Sequence, residues 1–367
     1  MKKILYVLMG IVLFLATLNG CNSSSTEREN VAKFDLSSFA TDKGIYYLDN
    51  QAYLKFFDYR SGRNAYLCSK PECAHDTEDC YANSNASFIF VQDDKLYTID
   101  GENNLVKRNL DGSNASAIMS LCNQYNSSND SMAYPMSGLA IGDKLYITYD
   151  VKILDAEKGE ENKKTILTCI DLNSKSEKIL LEDSNSQYSI NNGIDSSLYF
   201  FEYQSTSEDG GLSDLNKVNC ILYKMNLKDN SVSVIYQDIQ TEFNPCGYTN
   251  GEIYFFKHNP TNLYYLTFEN PTPVKAEYQV LYTDDRGNIV YDRTRNNYMM
   301  IIDGKEDTLL FPENITVAFS YATDNGFVFS CTSGVLEGVN ESITEQEKFY
   351  VSKEDFYSCK NQYYKIC

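Results

Sequence analysis

The sequence predicts an all-β chain folded as a single β-propeller, with seven four-stranded blades, and three observations carry that prediction. A two-part phrase recurs seven times at intervals of 36 to 55 residues, each repeat long enough for several short strands. Thirty Tyr and 19 Phe with no Trp give aromatic strands that suit packing between neighbouring blades. Turns rich in Asn, Asp, Ser and Gly separate the strand phrases, as tight hairpins require.

The first half of the phrase is a short aromatic strand after a polar turn. It reads GIYYLD from Gly44, DKLYTI from Asp94, DKLYIT from Asp143, SSLYFF from Ser196, GEIYFF from Gly251, GNIVYD from Gly287 and GFVFSC from Gly326. We assign it to the second strand of each blade. A strand, turn and strand follow each time, as in NLVKRNLDGSNASAIM from Asn104 and CILYKMNLKDNSVSVIY from Cys220. These are the third and fourth strands. First strands are expected near Phe34 to Phe39, Ser87 to Val91, Met136 to Ile141 and Thr316 to Tyr321, mostly apolar or small. The last unit, from Lys348, runs to Cys367 with a complete fourth strand, so the ring is expected to close by packing of the first blade on the seventh.

The expected organisation is a signal peptide over 1–20, a lipidated tether over 21–33 and the propeller over 34–367. Lys2 and Lys3 precede the apolar run Ile4 to Leu18, which is too short for a comfortable membrane span. The run ends in Leu18-Asn19-Gly20-Cys21, and Asn22 to Asn30 is polar. Leu18 to Cys21 resembles a bacterial lipobox, although Asn19 stands where a small residue is usual. The resemblance implies a diacylglyceryl group on Cys21, attachment to the cell membrane and an extracytoplasmic address. The alternative is an ordinary signal peptide with Cys21 incidental.

Removing residues 1–20 lowers Lys plus Arg from 32 to 30 against 51 acidic residues, a net charge of −21. Such a surface repels phosphate backbones and anionic headgroups, which excludes nucleic acid and leaves the lipid as the membrane contact. A single ring without a linker is expected to be a monomer.

The turns between third and fourth strands contain Asp111-Gly112-Ser113-Asn114, Asn173-Ser174-Lys175, Lys228-Asp229-Asn230 and Asp303-Gly304-Lys305, residue types that tolerate left-handed backbone. The segment from Asn104 to Met119 resembles the TolB-like propeller unit, whose strand, Asp-Gly turn and strand close the edge of a blade. Second-to-third connections and blade-to-blade connections share one face of a propeller. Long insertions are expected there, as loops over Asp150 to Lys164, Glu202 to Asn219 and Thr332 to Glu347, which makes that face the candidate for binding.

Between the first two blades runs Cys68-Ser-Lys-Pro-Glu-Cys73-Ala-His75-Asp-Thr-Glu-Asp-Cys80. Three readings stand. The favoured one is a disulfide staple drawing on Cys122 at the matching position after the second blade. A tetrahedral zinc shell of Cys68, Cys73, His75 and Cys80 comes next, although no cofactor is required by the rest of the sequence. Free thiols are the third. The CxxxxCxHxxxxC spacing in an exported propeller resembles lipoproteins of clostridial-type gut bacteria, a family whose function is largely unassigned and which supplies no catalytic residues.

His75 and His258 are the only histidines, and His258, beside Asn259-Pro260, reads as a solvated turn residue. There is no phosphate-binding glycine loop, nucleophile elbow or HExxH, and Asp93-Asp94 and Asp284-Asp285 occupy turn positions. The oxygen-rich stretch Glu208 to Asp214 lacks an EF-hand spacing. The function expected is non-catalytic binding of a protein, peptide or glycan at the loop-rich face. A polysaccharide hydrolase or lyase, and an envelope scaffold without a small ligand, are the alternatives.

Overall fold

The computed structural model describes residues 31–34, 37–49, 51–75, 77, 79–126, 131–155, 160–194, 196–207, 212, 214–249, 251–292, 297–302, 305–307, 316–335, 342–343, 347–358, 360 and 362–366. The signal segment, Cys21, Cys359, Cys367 and most of the Glu208 to Asp214 stretch lie outside them.

The chain opens with β1 (Val31–Phe34) and then lays down seven antiparallel blades in sequence order. Blade I is β2 (Ser38–Ala40), β3 (Gly44–Leu48), β4 (Leu54–Asp58) and β5 (Arg63–Tyr66). Blade II is β6 (Ala86–Gln92), β7 (Lys95–Asp100), β8 (Asn104–Asn109) and β9 (Ser116–Ser120). Blade III is β10 (Ser131–Ile141), β11 (Lys144–Asp155), β12 (Glu160–Asp171) and β13 (Ser176–Asp183). Blade IV follows with β14 (Ser186–Ile194), β15 (Ser197–Ser205), β16 (Val218–Asn226) and β17 (Val232–Ile239). Blade V holds β18 (Asn244–Thr249), β19 (Glu252–Lys257), β20 (Asn259–Thr267) and β21 (Val274–Lys275). Blade VI holds β22 (Gln279–Asp284), β23 (Gly287–Asp292), β24 (Asn297–Ile302) and β25 (Lys305–Asp307). In blade VII, β26 (Thr316–Ala322), β27 (Gly326–Val335), β29 (Glu347–Ser352) and β30 (Tyr364–Lys365) form the sheet, and β28 (Ser342–Ile343) folds back on β27. Every aromatic phrase occupies the second strand that the repeat assigns to it.

The core is distributed around the ring, because each blade is apolar on both faces and must bury both against its neighbours. A hydrophobic cluster fills each of the seven seams. Leu54 and Leu67 meet Ile89 and Leu96 between blades I and II, and Phe88 and Phe90 meet Leu145 and Tyr149 between II and III. Tyr146 meets Tyr188 and Phe200 in the next seam, and Phe201 and Cys220 meet Phe243 and Phe255 beyond it. Val280 packs on Tyr254 and Phe256, Ile289 on Phe327 and Phe329, and Ile45 and Phe57 on Tyr350 and Ile366. The last of these closes the ring without strand exchange. It is reinforced by hydrogen bonds from the Tyr47 hydroxyl to the Ile366 carbonyl (2.8 Å), from Asn64 Nδ2 to the Lys365 carbonyl (3.0 Å) and from Asn325 Nδ2 to the Asp42 carbonyl (2.7 Å). Tyr59 stacks on Tyr350 across the same seam, ring centroids 4.6 Å apart.

The glycines that open the second strands of blades I and VII have one cause. A Cβ on Gly44 would lie 2.0 Å from the Phe57 carbonyl oxygen and 2.5 Å from the Phe56 ring; on Gly326 it would lie 2.3 Å from the Val351 oxygen and 2.4 Å from the Tyr350 ring. The third strand crosses too close for any side chain.

The third-to-fourth turns of blades II and IV are the same device. Asp111 accepts from the Ser113 amide (3.0 Å) and hydroxyl (2.6 Å), and Asp229 accepts from the Ser231 amide (2.9 Å) and hydroxyl (2.7 Å). Asn114, Lys175 and Asn230 take φ of 54°, 55° and 59°, the left-handed backbone their turns demand.

Four local expectations need correction. Asp150 to Lys164 is no loop: β11 and β12 stay paired from Val151↔Lys164 to Asp155↔Glu160, so the insertion is a tall hairpin. Val151 and Ile153 alternate with polar residues there, a strand period masked by the lysines and glutamates around it. Thr332 to Val335 likewise continues β27, which pairs with β28 through Gly334↔Ile343, and Leu215–Lys217 is a turn of 3-10 helix inside the Glu202 to Asn219 insertion. In blade VII the third-to-fourth connection holds a short helix, Lys353–Tyr357, capped by Ser352, whose hydroxyl accepts from the Asp355 amide at 3.0 Å. Its Phe356 is buried against Phe327.

One strand has no counterpart in the repeat. β1 pairs antiparallel with the innermost strand of blade III, Val31↔Ile141 to Phe34↔Gly138, and so lies inside the ring. Residues 34–39 were expected as one first strand; instead β1 ends at Phe34 and the first strand of blade I is β2.

Candidate metal centre

The segment from Leu67 to Asn85 leaves the outer strand of blade I and wedges into the crevice beside blade II. At its start the Leu67 amide donates to the Leu54 carbonyl (3.0 Å), and at its end Ala82 accepts from the Leu54 amide (2.8 Å), with Tyr53 bridged to Asn83. Both ties reach the second-to-third connection of blade I, which puts the segment on the face that the topology assigns to it. The buried Arg108 of β8 adds a bond from Nη1 to the Tyr81 carbonyl (3.4 Å). The described contacts of this segment are with blades I and II, whereas the tall hairpins belong to blades III, IV and VII.

Within the segment the chain doubles back so that four donors converge. Glu72 and His75 take φ of 60° and 61°, and the Cys80 amide closes a turn on the Thr77 carbonyl (3.1 Å). Lys70 reaches the Asp79 carbonyl and stands 4.5 Å above the Tyr81 ring. The His75 imidazole is stacked on Tyr66 at 4.3 Å with an interplanar angle of 21°, which aims Nδ1 at the Cys80 sulfur 3.3 Å away. The Sγ atoms of Cys68, Cys73 and Cys80 and a ring nitrogen of His75 all lie within 4.8 Å of one another. Cys80 is buried and the other three are half-buried.

The thiols are not equivalent. Burial pushes the Cys68 thiol up, but amides of Lys70 and Tyr81 and the thiols of Cys73 and Cys80 donate to its sulfur, and together they hold it below the ordinary cysteine value. Burial, and then donation to Cys73 and Cys68, holds Cys80 above that value against the amides of Ala82 and Asn83. The amides of Lys70 and Tyr81 thus favour charge on the Cys68 sulfur. Three soft donors and an imidazole form a set able to hold a metal ion.

Cys122 does not join them. It is buried in the seam of blades II and III, where its amide and thiol face Glu177. Cys68, Cys73, Cys80, Cys122, Cys169, Cys220 and Cys331 are free thiols here, and burial pushes Cys331 up to about 11. His258 is the exposed turn residue expected of it, with φ 57°, set against Glu242. Tyr66, at the end of β5 and two residues before Cys68, carries no signal in the sequence that marks it as the stacking platform of His75.

No protein-family model matches the chain, and no curated protein matches it. Among solved structures it is similar to an acylaminoacyl peptidase of Pyrococcus horikoshii, at 9% identity and a TM-score of 0.49 over 93% of this chain and 53% of that one. It is also similar to BamB from Moraxella catarrhalis, at 9% identity and a TM-score of 0.37 over 81% and 79% of the two chains. An oligogalacturonate lyase from Vibrio parahaemolyticus is similar at 10% identity and a TM-score of 0.34, over 84% and 91%. The chain spans about half the length of the archaeal peptidase. With TM-scores of 0.49 and below, these likenesses carry nothing about activity.

Proposed function

We propose that this chain is a lipid-anchored, extracytoplasmic propeller that binds a protein, peptide or glycan at its tall-hairpin face, without catalysis of its own. The observation that carries the reading is the direction of β1. Val31 lies beside Ile141, at the end of β10 that turns into β11, and the strand runs from there toward Gly138. That end belongs to the short-turn face. Val31 thus begins β1 at that face, and in this reading an anchor joined there turns the tall hairpins away from the bilayer. Cys21 precedes Val31 by ten residues, a span of at most about 35 Å when extended, which keeps the body close to its anchor.

The outward face also carries apolar surface. On the first half of β10, Met132, Tyr134 and Met136 are 53%, 42% and 38% exposed, and Leu154 of β11 is 49% exposed. Met132 and Tyr134 sit opposite Lys152 and Asp150, so aromatic, thioether and charged groups share one surface, a composition suited to recognition. Any resident cofactor belongs to the Cys68, Cys73, His75 and Cys80 cluster, with zinc the ion its donors suit, and serves the scaffold.

The test is an epitope tag placed between Asp155 and Glu160, compared with one in the Asp229-Asn230 turn, on intact cells. Staining of the first without permeabilisation, and loss of membrane retention in Cys21→Ser, are expected. A glycan and peptide array probed with the full chain should lose its signal when residues 152–163 are replaced by a short turn. Staining only after permeabilisation, array binding untouched by the trimmed hairpin, or release of sugar fragments from a polysaccharide would overturn the reading.

A further inference from the structure

We infer that Cys68, Cys73, His75 and Cys80 bind one Zn2+ through three Sγ atoms and Nδ1, and that this closed site, in place of a disulfide, staples residues 67–85 between blades I and II. The inference rests on the cluster alone, so it stands or falls apart from any ligand of the hairpin face.

The distances already approach the shell. A tetrahedral zinc with bonds of about 2.3 Å to sulfur and about 2.0 Å to nitrogen sets its donors about 3.5 to 3.8 Å apart. His75 Nδ1 and Cys80 Sγ stand at 3.3 Å, and none of the four donor atoms is more than 4.8 Å from another. Closing the rest of the shell therefore takes side-chain movements of about an ångström, within the reach of rotamer adjustment. The stacked Tyr66 ring holds the imidazole for that purpose. Nδ1 is the ligating atom, which assigns the neutral ring its proton at Nε2.

The surroundings discriminate between metal and disulfide. Three cysteines cannot all pair among themselves, and the fourth thiol that would even the number, Cys122, is committed to Glu177 in another seam. A bridge between any two would leave one thiol and the imidazole aimed at nothing, whereas a metal uses all four at once. Binding releases the three thiol protons to solvent and leaves the site with a single net negative charge. Lys70, tied to the Asp79 carbonyl within the same segment, puts a cation on the loop that carries it. Thiolate-rich tetrahedral sites favour zinc over magnesium or calcium, and four protein ligands leave no position for a substrate.

The experiment uses the full chain, purified under reductant, stripped by a chelator and titrated with Co2+ and then Zn2+. About one cobalt per chain should bind with thiolate-to-metal charge-transfer absorption and the intense d–d bands of a tetrahedral ion, and zinc should displace it. Cys73→Ser and Cys80→Ser should each weaken binding by more than about tenfold. His75→Cys should keep the tetrahedral spectrum with stronger charge transfer, so the inference remains open to refutation even where a serine variant does not fold. In alkylation mapping, zinc should protect Cys68, Cys73 and Cys80 while leaving Cys169 unchanged. An octahedral spectrum without charge transfer, a spectrum unaltered in Cys73→Ser, no cobalt uptake by the reduced chain, or a disulfide among the three in protein taken from the cell envelope would overturn it.

Discussion

The Cys122 amide donates a 2.7 Å hydrogen bond to the Glu177 carboxylate, joining two residues 55 positions apart across the seam of blades II and III. Burial holds Glu177 above its ordinary value of 4.5, against that amide and the Thr168 hydroxyl, which favour the carboxylate. The folded chain thus binds this proton more tightly than the unfolded one. The contribution is full below pH 4.5 and is lost as pH rises through the raised value. In urea titrations from about pH 4 to about pH 8, wild type should lose stability relative to Glu177→Gln as pH increases. Parallel curves for the two would refute the assignment.

Gly326→Ala should cost about 1–3 kcal/mol, since the new methyl meets a paired backbone oxygen and a buried ring, neither of which has room to retreat. Chemical denaturation reads it. Gly44→Ala should behave alike, and a neutral result at both would mean that the third strands are less closely apposed than described.

Lys175 holds a left-handed backbone at φ 55° on an exposed hairpin turn. Replacing it by glycine relieves about 1–2 kcal/mol of steric cost and adds about 0.5–1 kcal/mol of unfolded-chain entropy. Lys175→Gly should therefore be neutral or up to about 1.5 kcal/mol more stable, with a melting temperature no lower than that of wild type. A clear loss would place the side chain, and not the backbone, in control of that turn.

Tyr47→Phe removes the donor to the Ile366 carbonyl and leaves that oxygen buried in the closing seam. The expected loss is about 1–2 kcal/mol by denaturant titration. Phe57→Leu, which keeps the seam apolar but breaks its ring contact with Tyr350, serves as the comparison; if Tyr47→Phe costs nothing, the seam is held by packing alone.

The repeat was legible because each blade must solve the same problem, and the aromatic second strand with its glycine or aspartate lead-in is the part of the solution least free to vary. Gly44 and Gly326 show why: the third strand passes over them. What stayed hidden depends on partners remote in sequence. Val151 and Ile153 read as loop because lysines and glutamates crowd around them, yet their pairing extends blade III by a whole hairpin. The helix Lys353–Tyr357 went unread because the segment from Lys348 was taken into the strand rhythm of six earlier blades. The four donors of the metal centre were all named from their spacing. That Cys122 stands elsewhere was not, since only the fold puts Glu177 beside it.

Ring closure between residues 319 positions apart has a kinetic consequence. A contact between adjacent blades, such as Ile190 with Ser137, spans 53 positions, and loop-closure entropy makes the final seam costlier by about 1.6 kcal/mol. With no strand exchanged across it, the junction of Tyr47, Tyr350 and Ile366 is the last to form and the first to part, as a lock-washer opens at its gap. Hydrogen exchange at Tyr350 and Ile366 should outpace that at Phe90 and Leu145, and a circular permutant cut between blades III and IV should move the weak point there.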